Sequence, residues 1–386
     1  MEKYEMSMDN YIPRAITPEI ERTDPFYSVL LVTGARQVGK TTLCRHLYPE
    51  ASFINLEDSG NRTLAATDPN YLLDSLGSPA IIDEVQNVPE LLSSIQVRVD
   101  ADPSLKYILT GSSNFSLMQK ACQSLAGRVA SFTLTPFSFK ELGTGVKEVS
   151  TDDLLWRGAY PGVICKHIPE DIFYRNYFNT YIERDVRDLL KVGNLSKFDT
   201  FCRLLAGRCG SEVNVSALAT EIGISSPTVS QWMSILETAY IIFPLRPYYS
   251  NISKRLTKMP KIYFYDTGLV CFLLGIETPK QLATHPLRGA IFENLGVSEL
   301  MKNRLNMAKE PNLSFYREHS GREVDVLVPS PDGMNLYEIK AGKTFRPEFL
   351  ANMKYLSELL KDKIKDKTLI YDGPSIGNAI LNIREI

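Results

Sequence analysis

The sequence predicts an α/β protein of several domains with a helical middle third. Apolar, β-branched runs near both ends of the chain finish in chemically unusual loops, and the region between them has helical periodicity. The length, 386 residues, exceeds what one ordinary core holds. Hydrophobic and charged fractions of 44% and 23% are those of a globular chain in water. Net charge is −2, so any nucleic-acid surface has to be a local patch. The opening "MEKYEMSMDNYIPR" lacks an apolar signal core, no apolar run is long enough for a membrane, and the six cysteines form no CxxC pair. A cytoplasmic protein with reduced thiols and no membrane partner is the expectation.

Taken in order, "SVLLVTGARQVGKTTLCRHLY" reads strand, loop, helix. Ser28 to Thr33 is apolar, and Gly34 to Thr41 fits G-x-x-x-x-G-K-[ST]. Such glycines let backbone N–H groups wrap phosphate at a helix N-terminus. Lys40 is expected to reach the β- and γ-phosphates of ATP, and the Thr41 hydroxyl to hold Mg²⁺. Gly34, Gln37, Val38, Gly39, Lys40, Thr41 and Thr42 form the expected nucleotide-contacting set. "SPAIIDEVQNV" is a strand ending in Asp83-Glu84, where Asp83 is expected to hold the Mg²⁺ shell and Glu84 to orient or deprotonate water. A third strand, "LKYILTGSSN", ends in Thr110, Ser112, Ser113 and Asn114.

"TGARQVGKTTL", "AIIDEVQNVPEL", "YILTGSSNFSLM", "SLAGRV" and "LTPFSFKEL", in that order, resemble a bacterial and archaeal family of AAA-superfamily ATPases with a conserved C-terminal domain of uncharacterised function. The resemblance continues through "WRGAYPGV", "YIERDVRDL", "KRLTKMPKIYFYDTGL", "RGAIFENLGVSEL" and "GREVDVLV…YEIKAG", from about Pro25 to Lys343. It implies a P-loop, AAA-type ATPase core. In such ATPases a polar residue at the end of the third strand senses the γ-phosphate; Asn114 is the first choice and Ser112 the second. Arg128 stands where an arginine finger points at a neighbouring subunit's nucleotide, which implies a homo-oligomer. The alternative for Arg128 is an ion pair within its own domain.

In the middle third, Ser216 to Ile222 reads as a short helix, Gly223 as a turn, and Ser225 or Ser226 as the N-cap of a second helix, Thr228 to Ala239. Val229, Trp232, Met233 and Leu236 recur at core spacing. A β-hairpin from Ile241 to Tyr249 would complete a winged helix. Between Thr238 and Asp266 there is no acid, while Arg246, Lys254, Arg255, Lys258 and Lys261 accumulate beside Tyr248 and Tyr249. That stretch fits a phosphate backbone of DNA or RNA, or else a module that packs against protein. "WRGAYPGV" reads as a Gly/Pro-punctuated connector, and the aromatic stripe of "IPEDIFYRNYFNTYIERDVRDLL" as core or subunit packing.

In the last third, "FENLGVSELMKNRL" is a helix, "SFYREH" and "EVDVLVP" are strands, and "NLYEIKAG" is a third strand. Asp325, between two valines, is costly unless solvated, paired or bound to a cation. Glu338 and Lys340 share one strand face. This order, with D…ExK, is similar to the PD-(D/E)XK nuclease fold, although no proline precedes Asp325. The resemblance implies a metal site of Glu293, Asp325 and Glu338, with Glu299 in reserve and Lys340 orienting a nucleophile. His319 is either an assistant or a surface histidine.

The expected divisions are a lead segment (1–27), the ATPase domain (28–145), a helical linker (146–195), a winged helix (196–262) and a nuclease-like domain (263–386). The expected function is ATP hydrolysis coupled to action on nucleic acid, with Mg²⁺-dependent phosphodiester cleavage. The alternative is a signalling or partner-regulating ATPase with non-catalytic C-terminal modules.

Overall fold

A computed structural model describes residues 11–112, 124–182, 195–248, 259–318 and 320–386. Ser113, Asn114, Tyr249, Lys254, Arg255, Lys258 and His319 therefore lie outside the described residues. The chain divides into two compact units. The first takes in the chain to Phe137, together with Thr238–Tyr240 and Arg304–Lys309, and the second takes in the remainder.

The first unit is built on a parallel sheet of five strands, β1 (Val29–Gly34), β2 (Ser52–Asn55), β3 (Ala80–Asp83), β4 (Tyr107–Ser112) and β5 (Val129–Leu134), in the order β2-β3-β4-β1-β5. Every residue of β1 and β3 is buried, so the strands run apolar to near their polar ends rather than alternating. Val29, Leu31, Ile82 and Leu109 pack with Leu92, Ile95 and Val99 of the helix Leu91–Ala101. Because β4 lies between β1 and β3, its polar end falls between the phosphate loop and Asp83-Glu84.

The second unit holds an eight-stranded sheet in the order β13-β12-β11-β10-β9-β7-β8-β6. Its strands are β6 (Ser211–Glu212), β7 (Ile242–Pro247), β8 (Lys261–Phe264), β9 (Ser314–Arg317), β10 (Glu323–Ser330), β11 (Gly333–Lys340), β12 (Ile364–Tyr371) and β13 (Ile380–Asn382). The partner of β7 is β8, antiparallel, rather than a strand within 241–249. β7 also pairs in parallel with β9, which makes β6 to β13 one sheet. Position 262, where the sequence places a domain boundary, falls inside β8. Met353 and Leu356 of the helix Ala351–Leu360 cover Val324, Leu327, Leu336 and Leu369 of the sheet.

The helix Leu195–Ala206 precedes β6, and the helices Val215–Ile222 and Ser226–Thr238 lie between β6 and β7. Ser225 Oγ accepts the Thr228 N–H at 3.2 Å as the N-cap, and Gly223 turns the chain at φ +72°. Val229, Trp232, Met233 and Leu236 are buried, as their spacing predicts.

"WRGAYPGV" is not an exposed connector. Ala159 and Tyr160 are buried, and the Asp266 carboxylate accepts the Ala159 N–H at 2.7 Å and the Tyr174 hydroxyl at 2.7 Å. Phe173, Tyr174 and Tyr177 pack tilted or edge-on around Tyr160, so this part of the aromatic stripe is core. Gly158 has φ +68°, and a Cβ there would lie 2.0 Å from Tyr174 Oη and 2.4 Å from Asp266 Oδ1. Gly158→Ala is expected to destabilise the protein by on the order of 3 kcal/mol. A denaturant midpoint equal to wild type would show that the close approach is not needed.

Candidate functional site

The phosphate loop joins β1 to the helix Lys40–Leu47 through residues in the left-handed region: Gln37 at φ +60° and Gly39 at φ +95°. Gly34, at φ +144°, cannot carry a side chain, because a Cβ would lie 2.0 Å from the Leu134 carbonyl oxygen. Lys40 is only 6% exposed and donates to the carbonyls of Gly34 (3.1 Å) and Ala35 (2.9 Å). Burial lowers its pKa, against the opposing pull of Glu84 and Asp83. Val38 is buried and Thr42 is exposed on the helix.

Asp83 ends β3 and is buried. Its Oδ1 accepts the hydroxyl of Thr41 at 2.8 Å and that of Thr110 on β4. Burial raises its pKa, while those two hydroxyls work to lower it. Glu84 follows in the left-handed conformation, φ +57°, which turns its side chain toward β4. There Glu84 Oε2 accepts from Ser112 Oγ (3.1 Å) and from the Gln86 amide. Burial opposes the Glu84 carboxylate, but Lys40, Gln86 and Arg36 together hold its pKa below the ordinary value. The Thr41 hydroxyl and Asp83 carboxylate, all-oxygen donors that already meet, fit Mg²⁺ beside a phosphate chain. Ser112, the second choice for the γ-phosphate sensor, is thus joined to Glu84; Asn114, the first choice, lies outside the described residues.

Arg128 forms a two-pronged ion pair with Asp100 of its own unit, Nη2 to Oδ2 at 2.9 Å, with Nε on Oδ1. That is the own-domain arrangement of the two the sequence leaves open. Arg14, in the expected lead segment, carries a function the sequence reading missed. It is 4% exposed, donates to the carbonyls of Val38 (2.7 Å) and Thr135 (2.6 Å), and lies over the Phe137 ring. It thereby fixes the back of the phosphate loop. No periodicity marks a lone arginine 24 residues from its partner.

A second constellation lies in the eight-stranded sheet. The antiparallel register of β10 and β11, Val326 opposite Tyr337, extends by one step to set Asp325 opposite Glu338. Asp325 Oδ2 accepts the Ile339 N–H at 2.7 Å and faces Lys340 Nζ at 3.4 Å, while Lys340 Nζ lies 2.7 Å from Glu338 Oε1. Glu293, on the helix Arg288–Asn306, accepts at Oε1 from Tyr263 Oη (2.6 Å) and Lys261 Nζ (3.2 Å). Lys261 also pairs with Glu323.

Lys261 is therefore not part of a phosphate-gripping surface. It is 3% exposed, with its charge spent on two carboxylates. Glu299, the reserve ligand, is fully buried elsewhere on the same helix; it pairs with Lys302 at 2.8 Å and accepts the Phe139 N–H. The overlooked signal was alternation: Lys261 and Tyr263 share one face of β8, as Glu338 and Lys340 share one face of β11.

Glu338 is 2% exposed, and its Oε2 has no hydrogen-bond partner among the described residues. That orphaned oxygen and the adjoining Asp325 carboxylate fit a hard divalent cation. The expected three-carboxylate set is not closed, however. Lys261 and Tyr263 engage Glu293, and among the described residues no three His, Cys, Asp or Glu side chains come together as a ligand group.

These two sites define the class: a P-loop ATPase core joined to a C-terminal α/β domain of a different kind. Residues 27–143 match the model of an AAA domain, residues 148–280 a domain of unknown function (DUF8612), and residues 288–379 another (DUF4143). An uncharacterized protein of Mycobacterium tuberculosis is 30% identical over 352 residues, 89% of this chain and 76% of that protein. One from Methanocaldococcus jannaschii is 22% identical over 84% of this chain and 78% of its own. The chain belongs to the family of the mycobacterial protein, an AAA-type ATPase family with a C-terminal DUF4143 domain. A solved Walker-type ATPase of Pyrococcus abyssi is 18% identical over 67% of this chain and 94% of its own, with a TM-score of 0.44. Among the described residues no helix is long and apolar enough to cross a membrane.

The carboxylates make stability depend on pH. Burial first, then the Asp325 charge, push Glu338 up to about 8, with Lys340 opposing. An acid whose pKa rises on folding keeps its proton in the folded chain after the unfolded chain has lost it. The unfolded chain then binds fewer protons, so this group makes stability fall between pH 4.5, its ordinary value, and about 8, and leaves it level above. Glu338→Gln, neutral throughout, is expected to flatten that decline, measured as Tm at stepped pH in EDTA; an unchanged slope would refute the assignment.

Proposed function

We propose that this protein binds and hydrolyses ATP at the phosphate loop and couples hydrolysis to a nuclease-like C-terminal domain. The observation that carries the first half is the cluster Lys40, Thr41, Asp83, Glu84 and Ser112 at the ends of two adjacent strands and the start of one helix. Loop N–H groups and Lys40 hold the β- and γ-phosphates. Thr41 and Asp83 would hold Mg²⁺, and the ion would supply positive charge beside the phosphate chain. Glu84, kept ionised by Lys40 and Gln86, takes a proton from the attacking water as its oxygen bonds to the γ-phosphorus and the bond to the β-phosphate bridge breaks. Arg128, freed from Asp100, would act across a homo-oligomer interface.

In the second unit, the helix order and the antiparallel pairing of β8 with β6 and β7 support a winged helix, and the helix, β9 to β11 and the D…ExK positions support a nuclease-like fold. Asp325 and Glu338 are the proposed Mg²⁺ ligands for phosphodiester cleavage, with Lys340 orienting the nucleophile and Glu293 as the outer acid. One observation favours the partner-regulating alternative. The outward residues of the helix Ser226–Thr238, namely Pro227, Ser230, Gln231 and Ser234, carry no cation for a phosphate backbone.

Lys40→Ala is expected to abolish tight ATP binding. Glu84→Gln is expected to retain binding and lose about 10²–10⁴-fold in kcat. Hydrolysis at wild-type rate in either variant would sink the assignment. Nicking of plasmid DNA or RNA with Mg²⁺ or Mn²⁺, lost in Asp325→Ala, is the expected result for the nuclease reading. No cleavage and no low-salt binding would leave the partner-regulating reading in its place.

A further inference from the structure

Four carboxylates, Glu293, Glu323, Asp325 and Glu338, share two lysines in the C-terminal sheet, and Arg317 pairs with Glu323 Oε2 and with Glu212. The lysines divide the acids into two ends. Lys340 stands between Asp325 and Glu338, and Lys261 between Glu293 and Glu323. Lys340 is part of the D…ExK pattern; Lys261 is not. Its side chain is 4% exposed and its ammonium lies 5.4 Å from the centre of the Phe315 ring. Its backbone is held in β8, paired with Leu245 of β7 and Glu212 of β6. Tyr263, on the same face of β8, adds a 2.6 Å bond to the Glu293 oxygen that Lys261 already contacts.

From this geometry we infer that Lys261 is a cation built into the chain, which engages Glu293 beside the acid site and so sets how tightly that site takes a divalent ion. The inference rests on the reading of Asp325 and Glu338 as ion ligands, to which the partnerless, buried Glu338 Oε2 points independently. An ammonium and a divalent ion compete for the same carboxylate charge, and like charges close together repel. With Lys261 neutral, Glu293 keeps its bond from Tyr263 but loses its counter-charge. Three carboxylates are then left for a hard ion to gather.

The test is Mn²⁺ binding to the full-length, nucleotide-free chain, read by the loss of the free Mn²⁺ electron paramagnetic resonance signal. Lys261→Met and Lys261→Gln are both expected to bind the ion on the order of tenfold or more tightly than wild type. The gain is expected to vanish when Asp325→Ala is added. As a second measurement, Mn²⁺ should raise Tm more in the Lys261 variants than in wild type, which reads binding even where the variants are less stable. Binding in wild type that depends on Asp325 but is unchanged by either Lys261 variant overturns the role of Lys261 alone. A gain that survives Asp325→Ala places the ion elsewhere and overturns it too. No Asp325-dependent binding in any variant overturns the ion site together with the inference.

Discussion

A carboxylate buried in a strand, at its end or at a helix N-cap is tolerated only where donors reach it, and four such aspartates organise this protein. Asp83 gathers the hydroxyls of Thr41 and Thr110 from the phosphate-loop helix and β4. Asp266 gathers Tyr174, the Ala159 N–H and the Leu269 N–H. Asp325 takes the Ile339 N–H across the β10–β11 ladder. Asp372 takes the Thr151 hydroxyl and the Arg288 guanidinium, which also holds Asp152. Asp83, Asp266 and Asp372 thereby tie together segments far apart in the chain, and Asp325 the two strands of one hairpin. Removing any one donor set would leave a buried charge unpaid by hydrogen bonds, which is more damaging than the loss of an ordinary contact.

The two candidate sites differ in the charge that balances their acids. At the phosphate loop one buried ammonium, Lys40, sits among loop carbonyls with Asp83 and Glu84 nearby, and Glu84 stays readily ionised. That arrangement suits a site that receives an anion and needs a base beside it. In the C-terminal sheet, burial and mutual repulsion dominate, and both Glu293 and Glu338 are pushed up. Lys261 and Lys340 only partly offset this. A site with surplus, mutually repelling carboxylates suits a cation. The same residue types thus support opposite ligand chemistry because the number and position of the ammoniums differ.

Local chemistry was legible in the sequence where it is carried by neighbours in the chain. The Gly34-to-Thr41 loop, Asp83-Glu84 and the Glu338/Lys340 face all express strand or loop geometry within a few residues. What the sequence hid depends on crossover and register. The bond from Ser112 to Glu84 exists because β4 is inserted between β1 and β3, and no local pattern states strand order. Gly158 read as linker punctuation, but its missing Cβ makes room for Tyr174 and Asp266. Lys261 read as one of a solvated basic run, because runs of charge ordinarily face water; its burial follows from the pairing of β8 with β7 and β6. Arg14 and Glu299 share the same lesson, since the partners that fix them are far away in sequence.

The continuity of the second sheet bears directly on how the acid site is assembled. β7 pairs with β9 in parallel, and β9 with β10, so one run of hydrogen-bonded strands sets both Lys261 on β8 and Asp325 on β10. A domain drawn from residue 263 onward would keep every D…ExK residue and still lose the cation that engages Glu293. It would also lose the strand pairing that presents Tyr263, because the β8 contacts run back to β6 and β7. The helix ahead of β6 and the two between β6 and β7 are thus tied through these strands to the carboxylates, and the sheet that holds the four acids begins well before the D…ExK segment.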